Sequence, residues 1–192
     1  MRKVGIIGGT FDPPHNGHLM IAQEALTTCH LDEVWFMPSY MPPHKQDKHI
    51  TASEERIEMV KLAIDNNPHF RLSLVEFERK GLSYTYKTLN YLTSVHENTS
   101  FYFIIGADMV NDLVNWYEID KLLQVVTFIG VKRPGTVIKS PYAKKMISIE
   151  VPQFEMSSTF LRTRFVNGGN TRYFLPEKVR EYIEENDLYG AK

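Results

Sequence analysis

Two histidines, His15 and His18, stand three residues apart inside the run GGTFDPPHNGH that occupies residues 8–18. That spacing puts both rings on one side of a helix's first turn, and the Pro13-Pro14 pair restricts the backbone leading into them. The positive end of a helix dipole disfavours an extra proton on such rings, whereas a bound polyphosphate favours it. Nucleotidyl transfer needs little covalent help from a protein; it needs donors aimed at oxygens that gain charge as the leaving group departs. Two imidazoles beside a row of amides can supply those donors. A zinc pair would need further ligands, and neither the single Cys29 nor the scattered acidic residues offers a second ligand pair at the usual spacing. No protein-bound metal is therefore expected.

The elements around the run fit this chemistry. Val4-Gly5-Ile6-Ile7 reads as a buried first strand, and Leu19, Ala22, Leu26 and Cys29 fall on one helical face. Gly8, Gly9 and Thr10 then sit where a strand ends, and Asn16, Gly17 and His18 where a helix begins. Glycines at a strand end let backbone approach a ligand closely, and the free amides of a helix start attract anions. The spacing makes neither G-x-G-x-x-G nor G-x-x-x-x-G-K-[ST], so those two phosphate loops are excluded.

Further along, strand-like and helix-like segments alternate. Val34 to Pro38, Phe70 to Phe77, Phe101 to Ile105 and Val125 to Val131 read as strands. Thr51 to Glu54 resembles a capping box opening a helix with Ile57, Val60 and Ile64 on one face, and Thr85 to His96 is helical in pattern. The succession predicts an α/β fold with a doubly wound, mainly parallel sheet, whose ligands gather at the strands' carboxyl ends. No linker divides residues 1–192, so a single domain is expected, with Pro176 opening a docked carboxyl-terminal helix bearing Val179, Tyr182 and Ile183.

Composition narrows the class. The 192 residues are 43% hydrophobic and 12% aromatic, ample for a packed core. Lys and Arg total 22 against 23 Asp and Glu, so no global basic field argues for a nucleic-acid partner. No run approaches a membrane span, Met1-Arg2-Lys3 precedes no signal-peptide core, and one cysteine forms no internal disulfide. A cytoplasmic protein is expected, and a homo-oligomer is compatible with the sequence.

Other groups could join the two histidines. Ser157-Ser158-Thr159 with Arg162 places hydroxyls, amides and a guanidinium at a helix start, although a plain cap would look the same. Pro42, Pro43, His44, Lys45 and Lys48 make a long basic connection between a strand and a helix, for which a solvated loop is the simpler reading. Gly106-Ala107-Asp108 ends a strand where a carboxylate can meet ribose hydroxyls or hold magnesium through water, or merely cap a helix. Trp116 and Tyr117 are either core aromatics or a stacking platform.

Taken together, GGTFDPPHNGH resembles the first signature of the Rossmann-like nucleotidyltransferases with an HxGH motif, a superfamily that includes class I aminoacyl-tRNA synthetases. Histidine at both motif positions makes it similar to the bacterial nicotinate mononucleotide adenylyltransferases; phosphopantetheine adenylyltransferases usually have threonine at the place of His15. Met156 to Arg162, MSSTFLR, resembles the family's ISSTxIR signature with Met for the first Ile. PPHK resembles its PHK element, and GAD followed by Leu113-Val114-Asn115-Trp116-Tyr117 its LxxWY pattern. Gly81-Leu82-Ser83-Tyr84-Thr85 with Thr88-Leu89 resembles GxSYTxxTL. Leu82 replaces a frequent proline and Lys87 a frequent acid, so neither carries a role over.

The resemblance implies transfer of AMP from ATP to nicotinate mononucleotide, giving nicotinate adenine dinucleotide and pyrophosphate, with Mg2+ bound mainly through the ATP phosphates. It implies catalysis by His15, His18, Lys45 and Arg162. ATP would lie on Gly8, Gly9, Thr10, Phe11, both histidines, Ser157, Ser158 and Arg162, with Arg133 either at the adenine end or in solvent. The mononucleotide would meet Lys45, Thr85, Gly106, Asp108, Trp116 and Tyr117, with Trp116 stacked on the pyridine ring. Transfer to another phosphorylated acceptor, or a nucleotide sensor without catalysis, are the competing readings.

Overall fold

The alternating runs build one parallel sheet with helices on both faces. The computed structural model describes residues 1–42, 50–132, 139–152 and 156–191. Strands β1 (Arg2–Gly9), β2 (Glu33–Pro38), β3 (Phe70–Leu72), β4 (Thr99–Gly106), β5 (Thr127–Lys132) and β6 (Ile147–Glu150) lie in the order β3-β2-β1-β4-β5-β6. All five pairings are parallel, so the expected doubly wound α/β class holds. The chain works outward from β1 to β3 and then returns to β4 on β1's other side. The crevice beyond the carboxyl ends of β1 and β4 is therefore the point where strand order reverses, and where such sheets bind ligands.

Helices α1 (Asn16–Thr28), α2 (Ser53–Ile64), α3 (Val75–Arg79), α4 (Thr85–Val95), α5 (Ala107–Asp112), α6 (Ile119–Val125), α7 (Ser158–Val166) and α8 (Glu177–Glu185) cover the faces. The two-residue period of a strand divides the core. Val4 and Ile6 point to one side with Leu89, Phe103 and Phe128, while Ile7 points to the other with Ala22, Val60 and Leu161. Each buried valine, leucine, isoleucine or phenylalanine among them contributes about 1.5–3 kcal/mol. Val179 and Ile183 bury one face of α8 in the second cluster, and the Tyr182 hydroxyl donates to Glu55 on α2. No described helix is long and apolar enough to cross a membrane.

Three local expectations change. The strand expected over Phe70 to Phe77 stops at Leu72, and α3 follows, because Val75 and Glu76 both turn inward and buried Glu76 accepts from the Thr88 hydroxyl. Thr51 opens no capping box. Ala52 is the N-cap, without a side-chain cap, and the Thr51 backbone is engaged by Asp12 and Arg56 instead. β5 starts at Thr127 because Val125 still closes α6.

Candidate active site

The turn after β1 is packed from below. A Cβ on Gly8 would lie 3.2 Å from the Phe103 ring, and one on Gly9 3.3 Å from the Phe11 ring. Phe11 adopts φ 51 and is 2% exposed, so its ring sits under the turn rather than in the cleft. It meets His18 edge-on at 5.1 Å and Phe36 at 5.8 Å. Asp12 and His15 are buried as well, which fixes the turn from which α1 starts.

His15 is the N-cap of α1, and its backbone N–H donates to Nδ1 of His18 at 3.1 Å. An accepting Nδ1 places the proton of the neutral His18 ring on Nε2, the nitrogen able to donate to a ligand oxygen. The two rings stack with centroids 3.7 Å apart at 26°. Gly17 makes this possible: a Cβ there would stand 3.0 Å from His15 Nδ1.

α7 faces this pair across a cleft. Ser157 caps the helix by accepting from the Phe160 N–H at 3.1 Å, leaving the helix start turned toward the histidines. The Ser158 hydroxyl donates to the Pro13 carbonyl at 2.8 Å, and Arg162 Nη1 donates to the Asp12 carbonyl at 2.6 Å. The two signatures thus hold each other by direct hydrogen bonds. A cavity of about 240 Å³ lies between them, with His15, His18, Ser157 and Ser158 as polar walls. Met20, Ile21, Val131, Val151, Pro152 and Met156 add apolar surface, and Lys132 a cation at the end of β5. Sequence reasoning reads Met156 as the first residue of the second signature but gives Met20, Ile21, Val131, Lys132, Val151 and Pro152 no role, their only signal being their place at strand and helix ends.

It also missed the network underneath. Arg56, 2% exposed, donates from Nη1 to the Thr10 and Ser39 carbonyls at 2.9 and 3.0 Å, and from Nε to the Thr51 carbonyl at 3.1 Å. The loops after β1 and β2 and the entry to α2 therefore share one guanidinium. Burial pulls its pKa below the ordinary arginine value, and the charge of Asp12 opposes that shift. Asp12 in turn accepts from the Tyr189 hydroxyl at 2.6 Å and the Thr51 N–H at 3.4 Å, with Arg162 Nη1 3.9 Å from Oδ2.

The residues that the resemblance assigns to the mononucleotide lie after β4 and at the start of α4. Gly106 is the N-cap of α5 with open space where a Cβ would point, and Asp108 is exposed in that helix's first turn. Thr85 begins α4 after an N-cap, Tyr84, that makes no side-chain cap. Trp116 is half-buried and lies edge-on to Phe103 and Phe128, at 6.1 and 6.4 Å. Tyr117 is 46% exposed, its ring 4.8 Å from that of Tyr84, and the Lys87 ammonium sits over both rings. His44, Lys45, Lys48 and Arg133 lie outside the described residues.

Comparison with known proteins places this geometry in a lineage. A family profile described as cytidylyltransferase-like matches residues 6–164. The nicotinate-nucleotide adenylyltransferase of Bacillus subtilis is 53% identical over 191 residues, covering 100% of both chains. A probable nicotinate-nucleotide adenylyltransferase of Geobacillus thermodenitrificans is 53% identical over 192 residues, which cover 100% of this chain and 88% of that protein. Among solved structures, the Plasmodium falciparum nicotinic acid mononucleotide adenylyltransferase complexed with NaAD superposes with a TM-score of 0.85. The alignment covers 100% of this chain and 99% of that one at 24% identity, a likeness of fold.

Proposed function

The chain belongs to the nicotinate-nucleotide adenylyltransferases within the cytidylyltransferase-like family, and we infer that it transfers AMP from ATP to nicotinate mononucleotide in NAD biosynthesis. An oxygen of the mononucleotide phosphate attacks the α-phosphorus, the bond to the β-phosphate breaks, and pyrophosphate leaves. The nucleophile is already anionic, so positioning and charge stabilisation carry the reaction.

The observation that carries the reading is the stacked His15–His18 pair at the α1 start, opposite the start of α7 and outside the reversal point of the sheet. In this assignment His18 donates from Nε2 to an α-phosphate oxygen, and His15 stacks against it and shares the same anion. The α7 amides and the exposed part of Arg162 hold the departing phosphates, with Lys45 as a second cation. Gly8, Gly9 and Thr10 bring backbone close to the nucleotide, and Phe11 supports the His18 ring from below. Ser157 and Ser158 shape the α7 start, and the apolar cleft wall takes the adenine; the resemblance assigns Arg133, outside the described residues, either to the adenine end or to solvent. Thr85, Gly106, Asp108, Trp116 and Tyr117 receive the mononucleotide.

ATP would enter as its magnesium complex, and the cation would neutralise phosphate charge. Asp108, exposed at the β4 edge, is the carboxylate suited to its water shell. Incubation of the protein with MgATP and a panel of mononucleotides, followed by chromatography, tests the reading. Formation of nicotinate adenine dinucleotide with an equal amount of pyrophosphate supports it. ATP binding without pyrophosphate release would make the protein a sensor instead.

A further inference from the structure

Asp12 lies in the middle of the first signature and is 4% exposed. Its Oδ1 is taken by the hydroxyl of Tyr189, which comes from the 3-10 turn Leu188–Gly190 beyond α8, 177 residues away in sequence. The phenol ring stacks on Phe165 of α7 at 6.0 Å and 30°, and its hydroxyl lies 3.9 Å from the Met59 sulfur of α2. Phe165 is three residues after Arg162 on the same helix. Burial and the charge of Asp12 both push the Tyr189 pKa up, so the hydroxyl remains a donor wherever Asp12 is charged.

Arg162 competes for the same carboxylate. Its Nη1 is bonded to the Asp12 carbonyl but stands 3.9 Å from Oδ2, a loose ion pair, and its side chain is 34% exposed. We propose that Tyr189 is a positioning residue for the nucleotide-phosphate site: by occupying Asp12 it leaves the Arg162 guanidinium available to a polyphosphate. Without the hydroxyl, Oδ1 loses its donor and only the Thr51 N–H on Oδ2 remains; Arg56 is held by the Thr10, Ser39 and Thr51 carbonyls, so Arg162, 3.9 Å from Oδ2, is the cation placed to fill the gap. The guanidinium then closes on Asp12 and withdraws from the ligand. The inference rests on the assignment of Arg162 to the ATP phosphates.

Tyr189→Phe keeps the ring on Phe165 and removes only the hydroxyl. MgATP binding is measured by calorimetry without an acceptor, beside KM for each substrate and thermal melting. The expected result is an ATP Kd and KM raised about tenfold with the mononucleotide KM unchanged. In an Arg162→Ala background the same change should cost no further ATP affinity, because the pair acts as one unit. Adding Asp12→Asn to Tyr189→Phe should restore ATP affinity by removing the competing charge. Unchanged ATP binding, equal losses for both substrates, or additive effects with Arg162→Ala would overturn the proposal. Because ATP binding is read without acceptor, failure of the acceptor assignment would show separately, as wild-type protein that binds ATP yet forms no dinucleotide.

Discussion

The backbone N–H of His15 donates to Nδ1 of His18 at 3.1 Å, so the cap of α1 also selects which nitrogen His18 presents to a ligand. Helix capping and catalysis are separable here by choice of side chain. His18→Asn keeps an acceptor near the Nδ1 position and loses the Nε2 donor. It should fold with near wild-type melting and lose about 100-fold or more in kcat, with a smaller change in ATP affinity. Melting curves and single-substrate kinetics check this; turnover near wild type would remove His18 from the chemistry.

Gly17→Ala isolates the stacking geometry. A Cβ 3.0 Å from His15 Nδ1 forces that ring to move. Alanine is favoured over glycine in a helix by about 0.8–1 kcal/mol, so stability should hold or rise. Activity should fall about tenfold, since a shift of a few tenths of an ångström at a catalytic group costs part of the roughly 100-fold that a misplacement of about 1 Å does. Circular dichroism melting beside kcat measures both signs.

Arg56→Met should destabilise through unmet acceptors rather than lost volume. The Thr10, Ser39 and Thr51 carbonyls would lose their shared donor in a buried place. A loss of about 3–5 kcal/mol is expected, read as the unfolding free energy in urea. A loss below about 1 kcal/mol would show the loops to be held by other contacts.

Trp116→Ala separates the two pockets. Its ring packs edge-on against Phe103 and Phe128, so some stability will go with it. The mononucleotide KM should rise at least about tenfold while ATP KM moves little. Trp116→Phe should recover most of the melting temperature and only part of the KM. Equal losses for both substrates would make Trp116 a core residue alone.

The parts legible in the sequence were those written in local pattern. The strand-turn-helix at residues 1–28 shows as an apolar run, glycines and a new helical period, and Ser157 as a cap that the structure bears out. Arg56 and Tyr189 were not legible. Each works through partners far along the chain, Thr10 at 46 residues and Asp12 at 177, and a lone arginine on an apolar face or a tyrosine near Gly190 has no local signature. The strand over Phe70 to Phe77 failed for the same reason. Its alternation fits β3, but Glu76 finds a buried partner in Thr88, which no local window contains.

Acceptor choice turns on charge. α4 starts without a side-chain cap, so its first amides can donate to a nicotinate carboxylate, and the Lys87 ammonium lies 5.2 Å over the Tyr84 ring beside them. A nicotinamide group would turn NH₂ donors toward amides that cannot accept, at about 1–3 kcal/mol for each mismatch. The decisive measurement is the initial rate of dinucleotide and pyrophosphate formation from nicotinate and nicotinamide mononucleotides, side by side at saturating MgATP. The expected result is nicotinate adenine dinucleotide with equimolar pyrophosphate, and a kcat/KM for the nicotinamide form lower by about 100-fold or more. Absence of dinucleotide from the nicotinate form, or equal efficiency with both, would contradict the assignment.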